Sequence, residues 1–103
     1  MRYIFHPEAE KEYSEAAIYY KERGLKVGKA FIDEVEKSIS KILSAPKTWR
    51  IIEEDVRRYL LLHFPYGIYY TIENDYVLIV SVMHLSRKPG YWKNRIIGNK
   101  IFG

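Results

Sequence analysis

The spacing of hydrophobic residues changes once along this chain, and that change dictates what it can fold into. Between Ala9 and Leu43 apolar residues recur three and four apart, as on one face of a helix; from Arg57 to His84 they alternate or run continuously, as in strands. A helical block followed by a strand block predicts an α+β architecture. Pro7 opens the first helix, where its missing N–H would be unpaired anyway, and Glu8, Glu10 and Glu12 lie near the positive end of the helix dipole. Ala9, Tyr13, Ala16, Ala17 and Tyr20 form one stripe whose alanines let another element approach. This helix is expected to end at Arg23-Gly24, with Gly24 as a left-handed stop. A second is expected from residues 25–27 to Leu43, ahead of Ala45-Pro46, with Val27, Phe31, Val35, Ile39, Ile42 and Leu43 as its stripe. So short a joint makes the two a hairpin facing one core. Lys29, Asp33 and Lys37 on the outer face read as solvating charge.

The second half predicts a three-strand antiparallel meander. Over residues 57–64, Arg57, Tyr59, Leu61 and His63 point one way and Arg58, Leu60, Leu62 and Phe64 the other; Arg57 and its companions are the expected polar surface. Pro65-Tyr66-Gly67 and Asn74-Asp75 are turns on either side of residues 68–72. Tyr76–His84 is almost continuously apolar, as in a middle strand covered on both faces, and Arg2–Phe5 is available as a further strand. Residues 46–56 read as a loop. Its carboxylates, Glu53, Glu54 and Asp55, have no histidine or spaced carboxylate near them and read as solvated, so no metal is expected.

Length and composition bound the rest. One domain spanning residues 1–103 is expected, and 48% hydrophobic with 16% aromatic residues is too apolar for a disordered chain. The absence of cysteine excludes disulfides, thiolate catalysis and Cys-ligated zinc. No apolar run has the length of a signal peptide or a membrane span, so a cytoplasmic location and no membrane partner are expected. Charge is uneven. From Leu85 onward the charged residues are Arg87, Lys88, Lys93, Arg95 and Lys100, so the net +4 is the +5 of this end set against −1 over residues 1–84.

That basic end contains His84 and the run HLSRKPGYWKNR, which holds most of the groups able to grip or cleave a phosphodiester. Cleaving RNA without a metal needs a base for the 2′-hydroxyl, positive charge for the phosphorane and an acid for the leaving oxygen. His84 and Tyr91 are the candidates for proton transfer and Arg57, Arg58 and Arg87 for charge. As a binding surface the candidates are Arg57, Arg58, Arg87, Lys88, Tyr91, Trp92, Lys93 and Arg95, with cations tracking an acidic partner and rings stacking on it. Alternatives stay open: His84 as a hydrogen-bonded residue at the sheet edge sharing a face with Leu78, Val80 and Val82, Tyr91 and Trp92 as a lid folded over the sheet, and the apolar end, residues 96–102, as a tail that frays or orders only against a partner.

Several landmarks occur together: Phe5-His6-Pro7-Glu8-Ala9, the two helices, Arg57-Arg58 ahead of Phe64-Pro65-Tyr66, the Tyr70 strand, and His84-x-x-Arg87-x-Pro89-x-Tyr91-Trp92. In order and spacing, over nearly the whole length, they resemble the RelE/ParE superfamily of toxins from type II toxin–antitoxin modules, which include plasmid-stabilisation systems. The resemblance implies a helical hairpin packed on an antiparallel sheet, a cytosolic growth inhibitor without cofactor, and a cognate antitoxin that wraps it into a hetero-oligomer. RelE-like members cut mRNA on the ribosome, and ParE-like members poison DNA gyrase. RelE-like enzymes carry a lysine-rich strand ahead of the first arginine; here residues 51–55 hold three acids. The expectation is therefore a ParE-like binder of DNA gyrase. The alternative is a ribosome-dependent, metal-independent mRNA endoribonuclease with His84, Arg87 and Tyr91 catalytic. A third is an inactive toxin fold that only binds antitoxin.

Overall fold

A computed structural model describes residues 1–88 and 90–96. Pro89 and Lys100, named above, lie outside the described residues, as does the apolar end beyond Ile96. The chain runs β1 (Arg2–Phe5), α1 (Pro7–Arg23), α2 (Leu25–Ser44), β2 (Ile51–Glu53), β3 (Val56–Leu60), β4 (Tyr66–Ile72), β5 (Tyr76–His84) and a 3₁₀ turn (Lys93–Arg95). Five strands form one sheet in the order β1-β5-β4-β3-β2, with β1 parallel to β5 and the other pairs antiparallel. The hairpin and the meander stand as the spacing implied, and β5 occupies an interior position.

The element boundaries differ from expectation in three places. A fifth strand, β2, occupies the expected loop: Ile51 and Glu53 pair with Arg57 and Val56 around a tight turn in which Glu54 takes φ 55°. Acidic side chains are tolerated there because β2 is a short edge strand. β3 ends at Leu60, so residues 61–65 make the bend and β4 starts at Tyr66, with Leu61 N–H donating to the Tyr66 carbonyl at 3.0 Å. Gly24 adopts φ 154°, ψ 140°, not a left-handed helical conformation, and serves as a one-residue joint that caps α2.

α1 and α2 cover one face of the sheet. Ala9, Ala16, Ala17, Phe31, Val35, Ile39 and Ile42 meet Tyr59, Ile68, Tyr70, Val77, Ile79 and Val82 there, while Val27, placed on the α2 stripe by spacing, is exposed. Where the helices cross, Gly28 lets the backbone of Lys21 come within the reach of any Cβ. A second, smaller core lies on the helix-free face and contains Val56, Tyr69, Leu78, Val80, Met83 and Trp92. Both cores are served by β5 through a bulge: Tyr69 stands opposite Ser81 but Tyr70 opposite Ile79, which leaves Val80 extra and reverses the alternation. Hence Leu78 and Val80 face away from the helices while Val82 faces them, correcting the single face assigned to all three.

Candidate target-binding surface

After His84 the chain doubles back across the helix-free face. Leu85 N–H donates to the Pro65 carbonyl at 2.9 Å and Arg87 N–H to the His84 carbonyl at 3.1 Å; Gly90 then reverses the path with φ 79°, open to glycine and strained for other residues. The returning segment lays the Trp92 indole on Tyr69, Leu78, Val80 and Met83, leaving it 1% exposed. Trp92 is thus a lid over the second core and presents no ring face for stacking. Arg95 is also internal. Its guanidinium forks onto Glu12 of α1 at 2.9 and 2.8 Å and donates to the Val80 carbonyl at 2.9 Å. Both residues were candidates for contact with a target, and both are occupied within the fold.

Arg57 is turned toward the hairpin side. Its Nη1 donates to the Lys47 carbonyl at 3.1 Å and the Trp49 carbonyl at 2.8 Å, pinning the α2–β2 connection, and its neighbour on that face, Tyr59, is buried against Trp49. The face expected to be polar is therefore a core face. Four residues after Tyr59, the bend turns His63 outward, and its Nδ1 meets Glu34 of α2 at 2.9 Å. Burial pushes the Glu34 carboxyl up, but hydrogen bonds from the His63 ring and from the Leu62 and His63 N–H groups outweigh it and hold it below the usual range.

Arg58 instead faces the open side of the sheet. With Arg87 it borders a groove of about 370 Å³ whose apolar lining includes Leu60, Met83 and Leu85. Leu60 and Leu85 are 47% and 44% exposed. Among the described residues neither arginine has a carboxylate partner, whereas Glu53 at the rim is taken by Lys93 at 2.5 Å. Tyr91, half exposed, lies beside both Arg87 and Arg95, whose guanidinium carbons stand 5.2 and 5.3 Å from its ring centre. Lys88 is exposed at the turn.

His84 is only partly buried. Its ring lies edge-on to Tyr66 with centres 5.3 Å apart, and Nδ1 accepts the Ser86 N–H at 3.1 Å, which places a neutral ring's proton on Nε2. It lines a cavity of about 170 Å³ with Glu12, Glu15, Tyr19, Tyr66 and Arg87. Tyr91 lines a different one, with His6, Glu8, Asn94 and Arg95. Arg87 is near both, lining the cavity beside His84 and standing next to the Tyr91 ring. Among the described residues no group of three or more histidines and carboxylates could hold a metal ion, and no helix is long and apolar enough to cross a membrane.

Comparison with known proteins gives this geometry its context. Residues 3–89 match the family model for the ParE toxin of type II toxin–antitoxin system, parDE. The chain belongs to the ParE toxin family. Among solved structures, this ParE-family toxin is similar to the chromosomal ParDE toxin–antitoxin system from P. aeruginosa, with a TM-score of 0.71 and 15% identity over 82% of this chain and 95% of that one. At that identity the likeness is one of fold. No curated protein matches the sequence. The RelE/ParE superfamily, the α+β fold and the role of toxin in a type II module therefore stand as the sequence landmarks implied.

Sequence reasoning gave Glu12 only a helix-dipole role and Glu53 only solvation, and did not find the groove floor. Glu12 had a signal: it lies three residues after Ala9 and four before Ala16, on the core-facing stripe, where an acid needs a partner. His6 also acts, its Nδ1 accepting the Glu8 N–H at 3.0 Å as the N-cap of α1. Burial, then the charge of Arg95, lowers the His6 pKa against the opposing pull of Glu8 and Glu12.

Proposed function

We propose that this ParE-family toxin inhibits growth by binding a macromolecular target, DNA gyrase, through the helix-free face of its sheet. The observation that carries the reading is the groove between Arg58 and Arg87, two guanidinium groups without carboxylate partners among the described residues, over an apolar floor. Such a surface grips an acidic protein patch by charge and contact area and needs no proton transfer. Arg58, Arg87, Lys88 and Tyr91 are the contact residues of the proposal, with Lys93 at the rim. A cognate antitoxin, held with the toxin in a hetero-oligomer in the cytoplasm, keeps this surface covered until the antitoxin is lost.

The second reading, a metal-independent endoribonuclease, draws on His84 and Arg87 lining one small cavity, with Nε2 of a neutral His84 carrying a proton. Tyr91 lines another, and cleavage would need both groups to reach one phosphate. Inducing the untagged protein without its antitoxin, with pulse labelling of DNA and protein synthesis at early times, tests both. Early loss of DNA synthesis with DNA damage is expected. Early arrest of translation with ribosome-dependent mRNA cuts would overturn the gyrase reading and move His84, Arg87 and Tyr91 to catalysis; no arrest would leave an inactive fold that only binds antitoxin.

A further inference from the structure

We infer that Glu12, on α1 and outside the basic segment, is the positioning residue that holds that segment in its target-binding geometry, acting through Arg95. The inference rests on the target-binding role proposed for the segment. Its basis is a half-open strand edge. β1 pairs with β5 only over Tyr76–Ile79, and the last link is His6 N–H to the Ile79 carbonyl at 2.9 Å. Beyond it the Val80 carbonyl and the Val82 N–H meet side chains instead of a strand: Arg95 Nη1 donates to Val80 O at 2.9 Å, and Glu12 Oε1 accepts from Val82 N at 3.1 Å. Glu12 also accepts from Ser81 Oγ at 2.9 Å and from both terminal nitrogens of Arg95. One carboxylate and one guanidinium thus take the place of the missing strand at the bulge, with side chains 18% and 7% exposed.

The rest of the segment depends on that clasp. Lys93–Arg95 is a single 3₁₀ turn whose backbone bonds reach only to Gly90 and Trp92, and so short a turn has little stability of its own. Lys93–Glu53 is exposed and weak. Beside these, the buried Trp92 and the Glu12–Arg95 pair hold the segment, and the pair reaches from the helix layer round the strand edge. Tyr91 sits between Arg87 and Arg95, so its place follows from Arg95, and that of Arg95 from Glu12. Removing the carboxylate leaves a buried cation unpaired, the costly way to break an ion pair.

The test uses the full chain with Trp49→Phe, so that Trp92 is the one fluorophore of its kind, and compares Glu12→Gln with the parent. Acrylamide quenching of Trp92 is expected to rise about threefold or more as the segment lifts, with circular dichroism unchanged. The inducer level for half-maximal growth inhibition is expected to rise for Glu12→Gln and for Tyr91→Ala, and Glu12→Gln is expected to add less than about twofold in the Tyr91→Ala background, because both act on one element. A merely structural role would give independent effects that multiply. Arg95→Lys, which keeps the charge but cannot fork onto Glu12, is the variant to use if Glu12→Gln fails to fold, and should show the same non-additivity. Unchanged quenching, or multiplying effects, would overturn the inference. If Tyr91→Ala and Arg87→Ala themselves leave growth inhibition intact, it is the proposed surface that fails, and quenching alone decides whether Glu12 holds the segment.

Discussion

Gly28→Ala should destabilise this toxin although glycine-to-alanine changes inside helices usually stabilise. Gly28 lies in the first turn of α2, buried where α1 crosses it. An added Cβ would stand 2.4 Å from Lys21 Cγ, 2.8 Å from Lys21 Cα and 3.0 Å from Lys21 N. The first contact is with a flexible side chain that can swing aside. The other two are with backbone, and they are relieved only if the helices part. Alanine contributes about 1 kcal/mol of helix propensity, whereas forcing atoms into a closed contact costs about 1–3 kcal/mol. Two backbone clashes belong at the top of that range, leaving a net loss of about 2 kcal/mol. At about 4–8 °C per kcal/mol for a domain near this size, Tm falls by about 8–16 °C. Thermal melts followed by circular dichroism, with urea titration to check that m is unchanged, give the answer. A Gly28→Ala protein as stable as the parent or more so would refute the close crossing.

Other outcomes follow from single contacts. Trp92→Ala should lose about 3–5 kcal/mol of stability in urea unfolding, as for any large buried ring; a loss of growth inhibition at unchanged stability would instead mean that the ring stacks on the target. Tyr70→Phe removes a 2.6 Å bond to the Pro46 carbonyl and should cost about 1 kcal/mol, and in the parent this hydroxyl, pushed up to about 12 by burial, should titrate above the exposed tyrosines in ultraviolet difference spectra. Because the Glu34 carboxyl titrates below its usual value, its contribution is complete above the ordinary glutamate pKa and disappears as pH falls through the lowered one; hydrogen exchange of the Leu62 and His63 amides should quicken in that window, and Glu34→Gln should flatten the response. His6 has the opposite charge but the same direction. Its neutral ring caps α1, so the Glu8 amide should lose protection as pH falls through the ordinary histidine range toward the depressed value, and His6→Asn should hold the cap across that range.

The elements that a periodic stripe defines were legible in the sequence. Ala9, Ala16 and Ala17, and Phe31, Val35, Ile39 and Ile42, repeat often enough to fix both helices and their inward faces, and the unbroken run in β5 placed it inside the sheet. What escaped notice was decided by single residues. β2 is three residues long, too short for alternation to register, and its acids suggested a loop. The bulge in β5 shifts the side-chain parity without any glycine or proline to mark it, so the faces of Leu78, Val80 and Val82 were assigned together. Arg57 and Arg58 point to opposite faces, but the polar reading of the Arg57 face leans on Tyr59 and His63, and Tyr59 is buried while the bend at residues 61–65 takes His63 off the strand. Arg95 and Trp92 carry the composition of a binding tail, and their burial depends on Glu12 and Val80, distant in sequence.

The same bulge bears on how the proposed binding role compares with cleavage. Phosphodiester cleavage needs a base and an acid within hydrogen-bond reach of one phosphate. Here the bulge turns the end of β5 so that Val82 faces the helices, and His84, two residues on, lines a cavity bordered by Glu12, Glu15 and Tyr19 of α1. The Glu12–Arg95 clasp meanwhile draws the returning chain round the strand edge and leaves Tyr91 beside His6 and Asn94. The features that satisfy the open edge of β5 thus set His84 and Tyr91 among different neighbours. Arg58, on β3, and Arg87, just after β5, border one groove on the open face, as the proposed binding role requires.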